Sequence, residues 1–336
     1  MVRKRYLGLL LVGTLLWSCA VDAPDVTAET ESVEQAALSF PHGPVITRTH
    51  SIRIGRHGRV VARETFTVES LLRWPRRAIL FLNGTPTTGD MFDIPIDGYR
   101  GRELLARRGF FAFTVDFEGS GDSTFPEDGF ALTFDAHTAA MREVVDYIRS
   151  RRFVSRVDVL GEAEGGGVAA QLCADDVRIR SCTLSSMLYK TATDAFNEFF
   201  QSPGFRAMVF GAPQGYLDIP PELYFNVLVA APPDVAAWTL ATQPGRYSMG
   251  LIAEELAGMP AYDPTGARVP GLIIRGELDQ NAPASDTLEL AQDYGAIGGA
   301  APATIVSIPG AMMQPRLEAA PHNEQFWAAV LAFIDP

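Results

Sequence analysis

Short apolar runs rich in β-branched and aromatic residues recur along this chain, separated by stretches of helical length, and that alternation limits the fold more than any other feature. The runs are AILFL (78–82), GFFAFTVD (109–116), RVDVL (156–160), SCTLSS (181–186), VPGLIIRG (269–276) and ATIVSIP (303–309). Between them, residues 99–108, 134–151 and 166–174 carry apolar side chains at helical spacing. A strand that is apolar throughout must be covered on both sides. The pattern therefore predicts an α/β fold, a mostly parallel sheet with helices on both faces. Ahead of the first run, SIRIGRHGRVVARETFTV alternates about a turn at Gly55 and Gly58 and predicts an antiparallel hairpin. Residues 187–265 break the rhythm, being aromatic-rich, helix-like and punctuated by proline. They predict a helical cap inserted into a core made of residues 41–186 and 266–336.

The chain opens with Arg3, Lys4 and Arg5 ahead of an apolar stretch too short to span a bilayer, which reads as an export signal over residues 1–18. Leu16-Trp17-Ser18-Cys19 resembles the lipobox of bacterial lipoproteins, which implies a lipid on Cys19 and attachment to a membrane of the cell envelope. Residues 19–40 are small, acidic and aperiodic, and predict a disordered tether. The formal net charge is −12, and removal of Arg3, Lys4 and Arg5 with the signal makes the mature chain more acidic still. That balance argues against nucleic acid, or an anionic membrane face, as partner. An exported compartment permits a disulfide. Cys173 and Cys182, late in one helix and early in the next strand, are its candidates, with two buried thiols as the alternative. The histidines (His42, His50, His57, His137 and His322) are scattered, and no H-E-x-x-H, C-x-x-C, dinucleotide or P-loop pattern is present. No metal or other cofactor is expected.

One segment carries the chemistry. RVDVLGEAEGGGVAAQL (156–172) has the frame of a strand–turn–helix nucleophile elbow, G-x-S-x-G, but the residue at its tip is Ala163. Around it the chain resembles the α/β-hydrolase family from about residue 45 onward. Asn83-Gly84-Thr85-Pro86 stands where that family has its His-Gly oxyanion loop, and Asp116 to Ser123, DFEGSGDS, matches its D-x-x-G-x-G-x-S turn. Asp279 in VPGLIIRGELD takes the place of its acid. In Ile308-Pro309-Gly310-Ala311 followed by Glu318, the family's histidine position is Met313. Asp116 and Ser123 are expected to brace loops.

The resemblance thus implies a hydrolase site without its nucleophile or its base. A triad needs a hydroxyl or thiol to attack, an imidazole to take its proton and a carboxylate to orient that imidazole. Ala163 and Met313 supply neither of the first two, so standard serine-hydrolase turnover is not expected. The backbone N–H groups of Glu164 and of the Gly84–Thr85 loop do not depend on side-chain identity and are expected to stay open to a carbonyl. The reading that follows is an exported lipoprotein that binds a small apolar carbonyl-bearing ligand under an aromatic cap. Phe196, Phe199, Phe200, Phe205, Phe210, Tyr216, Tyr224, Phe225 and Trp238 are the cap residues from which a few would face it. The alternative is an active hydrolase or lyase using Asp279 with Glu162, Glu164 or His322. Residues flanking an elbow tip are expected to point away from it, which leaves Glu162 and Glu164 solvated or salt-bridged. A protein-interaction role has no sequence feature of its own.

Overall fold

A computed structural model describes residues 34–35, 43–219, 230–243 and 245–335. The signal segment 1–18, Cys19, all of the tether except residues 34–35, and Tyr224 and Phe225 lie outside the described residues.

The strands are β1 (Glu34–Gln35), β2 (Val45–Ile54), β3 (Gly58–Thr67), β4 (Arg77–Leu82), β5 (Phe110–Asp116), β6 (Val157–Glu162), β7 (Ile179–Ser185), β8 (Tyr216–Asp218), β9 (Arg246–Ser248), β10 (Gly271–Gly276) and β11 (Thr304–Ile308). A nine-stranded sheet orders them β1-β2-β3-β5-β4-β6-β7-β10-β11. From β5 to β11 every pair is parallel, whereas the β2–β3 hairpin and its junction with β5 are antiparallel. This is the mostly parallel α/β architecture that the apolar runs demand. Every residue of β5, β6 and β10 is buried, as is all of β4 but Arg77.

The helices α1 (Val68–Leu72), α2 (Gly101–Arg107), α3 (Phe134–Arg152), α4 (Glu164–Asp175), α5 (Asp194–Phe200), α6 (Pro203–Phe210), α7 (Pro233–Thr242), α8 (Gly250–Ala257), α9 (Ala284–Asp293) and α10 (His322–Ile334) supply the cover. One face packs Met141, Val144, Val145 and Ile148 of α3 and Val168 and Leu172 of α4 against the sheet. The other packs Leu105 of α2 with Phe326, Trp327, Val330 and Ile334 of α10. Between β7 and β10 the inserted segment holds α5 to α8 and an antiparallel β8–β9 ribbon, so it is not helical throughout. Its aromatics pack on one another. Phe196 and Phe200 stack with ring centres 5.5 Å apart, and Phe205 lies 5.0 Å from Phe199 and 5.3 Å from Phe200.

The tether expectation needs one correction. Glu34 and Gln35 pair with Thr47 and Ile46 on the outer edge of β2. An edge strand presents unpaired N–H and C=O groups, which recruit even a short polar segment.

Two devices fasten the hairpin and the elbow helix. Glu64 of β3 is fully buried against the guanidinium of Arg152 and accepts from His50 Nε2 at 2.9 Å, while Tyr147 reaches His50 Nδ1 at 3.0 Å. Cys173 of α4 and Cys182 of β7 are joined as a disulfide across a sequence separation of 9. Closing so short a loop stabilises by about 2–3 kcal/mol through the unfolded chain. Cys173→Ala with Cys182→Ala is therefore expected to lower unfolding stability by about that amount in a denaturant titration, and an unchanged midpoint would contradict it.

Candidate functional site

The site is built on the sharpest turn of the chain. β6 passes to α4 through the single residue Ala163, at φ 48° and ψ −126°. A residue other than glycine held there costs of order 1–3 kcal/mol. Neighbours hold the turn in place: Ala163 N–H donates to the Ser185 carbonyl at 2.9 Å, and Gly166 N–H to the Ala163 carbonyl at 2.8 Å. The two elbow glycines are required by close approach. A Cβ on Gly161 would lie 2.3 Å from the Gly165 carbonyl oxygen, and one on Gly165 2.4 Å from that of Asn83. The frame is thus an elbow with a methyl group at its tip.

The oxyanion loop lies against that tip, since a Cβ on Gly84 would fall 2.7 Å from the Ala163 methyl. The expected open donors are not open. Glu164 folds its side chain back, and its Oε2 accepts the Thr85 N–H at 2.8 Å. Burial pushes this carboxyl up to about 7; its own backbone N–H and that of Thr85 favour the ionised form, and the charge of Glu162 opposes it. Glu164 therefore does not point away from the tip. Its carboxylate takes the position in which a substrate's oxyanion would be held. On α8, buried Glu255 is pushed well above the ordinary carboxylate range by burial and then by the charges of Glu164 and Glu254, which favours its neutral form.

Glu162 is not solvated either. Fully buried, it is clasped by Arg316, whose Nε donates to Oε1 at 3.0 Å and whose second nitrogen reaches Oε2. Arg316 also donates to the Met91 carbonyl. This carboxylate is a bolt between the elbow and the loop that carries Met313.

Asp279 is 3% exposed. Its Oδ1 accepts from the backbone of Asn281 at 2.9 Å and of Ala282 at 3.2 Å, while Oδ2 is buried without a hydrogen-bond partner. Burial raises its pKa, against the pull of those amides. Met313 lies in the adjoining loop, where its carbonyl accepts from Ser186 Oγ and Leu278 N–H donates to the Ala311 carbonyl at 2.8 Å. The acid and histidine positions are thus brought together, but no imidazole joins them. His322, the candidate substitute, hydrogen-bonds through Nδ1 to Glu318 Oε2 at 2.8 Å, and Glu318 Oε1 accepts the Met312 N–H at 2.7 Å. It braces the loop. Asp116 and Ser123 do the same elsewhere: Asp116 pairs with Arg63 at 2.9 Å and accepts the Gly89 and Asp122 amides, and Ser123 Oγ donates to the Asp116 carbonyl at 2.6 Å.

Beside Thr85 a cleft is lined by Asn83, Phe117, His137, Tyr247 and Leu251, among others, and encloses a cavity of ≈ 10 Å³. That is about the space of one water molecule. None of the cap aromatics named from the sequence lines it among the described residues: Phe196, Phe199, Phe200 and Phe205 pack on one another, Tyr216 packs on Phe125, and Trp238 packs against the cluster of Met91 and Ile94. His137 is the site residue that sequence reasoning missed. It is 1% exposed, its Nδ1 has no partner, and burial pushes its pKa down to about 4, so the ring is neutral. The signal was present, since His137 falls on the same stripe of α3 as Phe134, Met141 and Val144. Asn83 also faces the cleft. Its Nδ2 donates to the Thr87 carbonyl at 2.5 Å, which leaves Oδ1 buried and unpaired.

The unfolded chain releases the Glu164 proton near 4.5 and the folded chain near 7, so this group's contribution to stability falls as pH rises through that window. Glu164→Gln keeps an acceptor for Thr85 and is expected to raise Tm clearly at about pH 8 and little at about pH 5. Equal shifts at both values would refute the raised carboxyl.

Comparison with known proteins is consistent with this geometry. A model described as the alpha/beta hydrolase family matches residues 79–313. No curated protein is similar enough in sequence to match the chain. Among solved structures, an E-2-(acetamidomethylene)succinate hydrolase is similar at 18% identity and a TM-score of 0.61, covering 86% of this chain and 99% of that one. An enol-lactonase from Burkholderia xenovorans LB400 matches at 18% identity and 0.56, with 84% and 98% covered. A thermophilic esterase from Thermogutta terrifontis matches at 17% and 0.61, with 85% and 97% covered.

Proposed function

The chain belongs to the alpha/beta hydrolase family, and we propose that within it this protein is a retired hydrolase, exported as a lipoprotein, whose cleft binds a small ligand without ester turnover. The observation that carries this reading is the carboxylate of Glu164 on the Thr85 N–H. Loss of the nucleophile alone costs on the order of 10⁶ in kcat in a related class of serine hydrolase. An acceptor already seated on the oxyanion donors removes the second source of rate, because a developing negative charge meets another negative charge there. Ala163, Met313 and Glu164 therefore act in one direction.

The same contact changes the ligand class inferred from sequence. A carbonyl oxygen needs a donor, and the Thr85 donor is taken. The polar side chains lining the cleft include Asn83, whose Oδ1 has no partner among the described residues, the neutral ring of His137, Glu118, Ser120 and Ser248. They favour a ligand that brings hydrogen-bond donors, and a cavity of ≈ 10 Å³ admits only the head of such a ligand, such as an ammonium group. The competing reading, an enzyme working through carboxylates, narrows to Glu164 once Glu162 and His322 are committed to Arg316 and Glu318.

Nitrophenyl ester hydrolysis separates the two. The natural chain should match a buffer blank, and Ala163→Ser with Met313→His should stay close to it. Adding Glu164→Met to that pair should free the Thr85 N–H and raise kcat by about 10²–10³. Turnover by the natural chain that Glu164→Gln abolishes would overturn the proposal in favour of the carboxylate enzyme. The lipoprotein part has its own test. Expressed in a bacterium with its own leader and fed labelled palmitate, the natural chain should incorporate the label and Cys19→Ser should not, and equal labelling of the two would count against lipidation at Cys19.

A further inference from the structure

The end of the sheet opposite the cleft carries a surface that the net charge conceals. β4, β5 and β6 are parallel neighbours, with Arg77 paired to Phe110 and Ala78 to Val157. The segments that follow α1, α2 and α3 and feed those strands therefore converge on one face. Arg73 donates to the Arg108 carbonyl at 2.7 Å, Arg76 to the Arg152 carbonyl at 3.2 Å, and the Arg76 guanidinium lies 5.8 Å from the centre of the Phe153 ring. On this face Leu72, Trp74 and Phe153 are 80%, 77% and 71% exposed. Phe153 caps α3 at φ 53° and ψ 45°, a left-handed position that glycine ordinarily fills, so backbone strain is accepted at an exposed aromatic ring.

Most of the charged side chains around these are basic, with exposed Glu69 of α1 set among them. Arg73, Arg108, Arg151 and Arg156 are exposed and Arg76 partly so. No ion pair is formed by Arg73, Arg76, Arg108 or Arg156 among the described residues. The acids nearby are already engaged, Asp335 by Arg77 and Glu103 by Arg100 and Arg107. Protruding Trp, Leu and Phe side chains set among exposed arginines have the make-up of a surface that seats its apolar groups at the headgroup boundary and draws in anionic lipid.

We infer that this face docks on an anionic lipid bilayer. The path of the chain gives a reason to prefer a bilayer over a protein partner. Gly43 N–H donates to Glu69 of α1 at 3.2 Å, and β2 begins with Val45 paired to Thr67, directly before α1. Everything N-terminal to Gly43, Cys19 included, therefore joins the domain at the Trp74 end of the sheet. A lipid on Cys19, as proposed above, would hold this face toward the membrane and the cleft away from it. Contact is peripheral, since no helix among the described residues is long and apolar enough to cross a membrane. The acidic net charge is a sum over the whole chain and does not describe this patch.

Vesicle flotation of the chain from residue 20 onward, which lacks both the export signal and Cys19, tests the face independently of any lipid anchor. The protein should float with phosphatidylcholine vesicles that contain phosphatidylglycerol, lose that binding as salt rises, and ignore phosphatidylcholine alone. Arg73→Glu, Arg108→Glu and Arg156→Glu together should weaken binding at least about tenfold, and Trp74→Ser with Phe153→Ser should do so while thermal melting stays as in the parent. Failure to float at low salt, or equal flotation of the arginine variant, would overturn the inference. So would sedimentation showing self-association that the same substitutions abolish while vesicles are ignored, which would make the face an interface between copies of the chain.

Discussion

The backbone turn at Ala163 is the constraint on which the rest of the site depends. β6 is buried in the middle of the sheet and must hand over to α4 within one residue, and the Gly161–Gly165 contact leaves the backbone a single path. That geometry aims the Thr85 N–H at one spot beside the tip, whatever side chain the tip carries. A buried donor left unpaired costs about 1–3 kcal/mol. A hydrolase fills the spot with water or substrate. Here Glu164 fills it, so the loss of the serine and the arrival of a carboxylate next to it are physically linked: the scaffold stays intact because its unused donor has been given an internal partner.

Packing carboxyls this densely forces each to be handled differently. Glu162 is paired with Arg316, Glu164 leans on backbone N–H groups, and burial shifts Glu255 toward its protonated form. The first of these arrangements also replaces a lost one. In a working triad the histidine loop is tied to the elbow through hydrogen bonds of the reacting groups. With Met313 in that loop, Arg316 makes the connection instead, from three residues further on. Asp279 keeps its two backbone donors and so its position, while the oxygen that would have oriented an imidazole has no partner.

The sheet was legible in the sequence because burial on both faces leaves no choice of residue type: each apolar run became a strand within a residue or two of its expected ends, and the turn at Gly55 and Gly58 closed the hairpin. The elbow was legible because its glycines are steric requirements. What the sequence hid depends on side-chain direction and on distance along the chain. Glu164 was expected to point outward, and only the three-dimensional proximity of Thr85, 79 residues earlier, turns it inward. His137 was passed over because the histidines were judged by their scatter, although its place on the α3 stripe marked it as interior. The arginine face escaped because its members come from three separated segments and a net charge averages over all of them.

These features give the molecule two unlike ends. Parallel strands all start at one edge and finish at the other, so everything built on strand C-termini, the elbow, the Thr85 loop, Asp279 and the Met313 loop, gathers on one side. The connections that return from the helices gather on the opposite side, where catalysis places no demand on sequence. An acidic chain can concentrate arginine and exposed aromatic residues there without disturbing the site, since the buried sheet and its helices lie between the two ends. Sequence freedom at the strand starts, and the entry of the N-terminal segment beside α1, let that end of the fold vary independently of the end that carries the elbow.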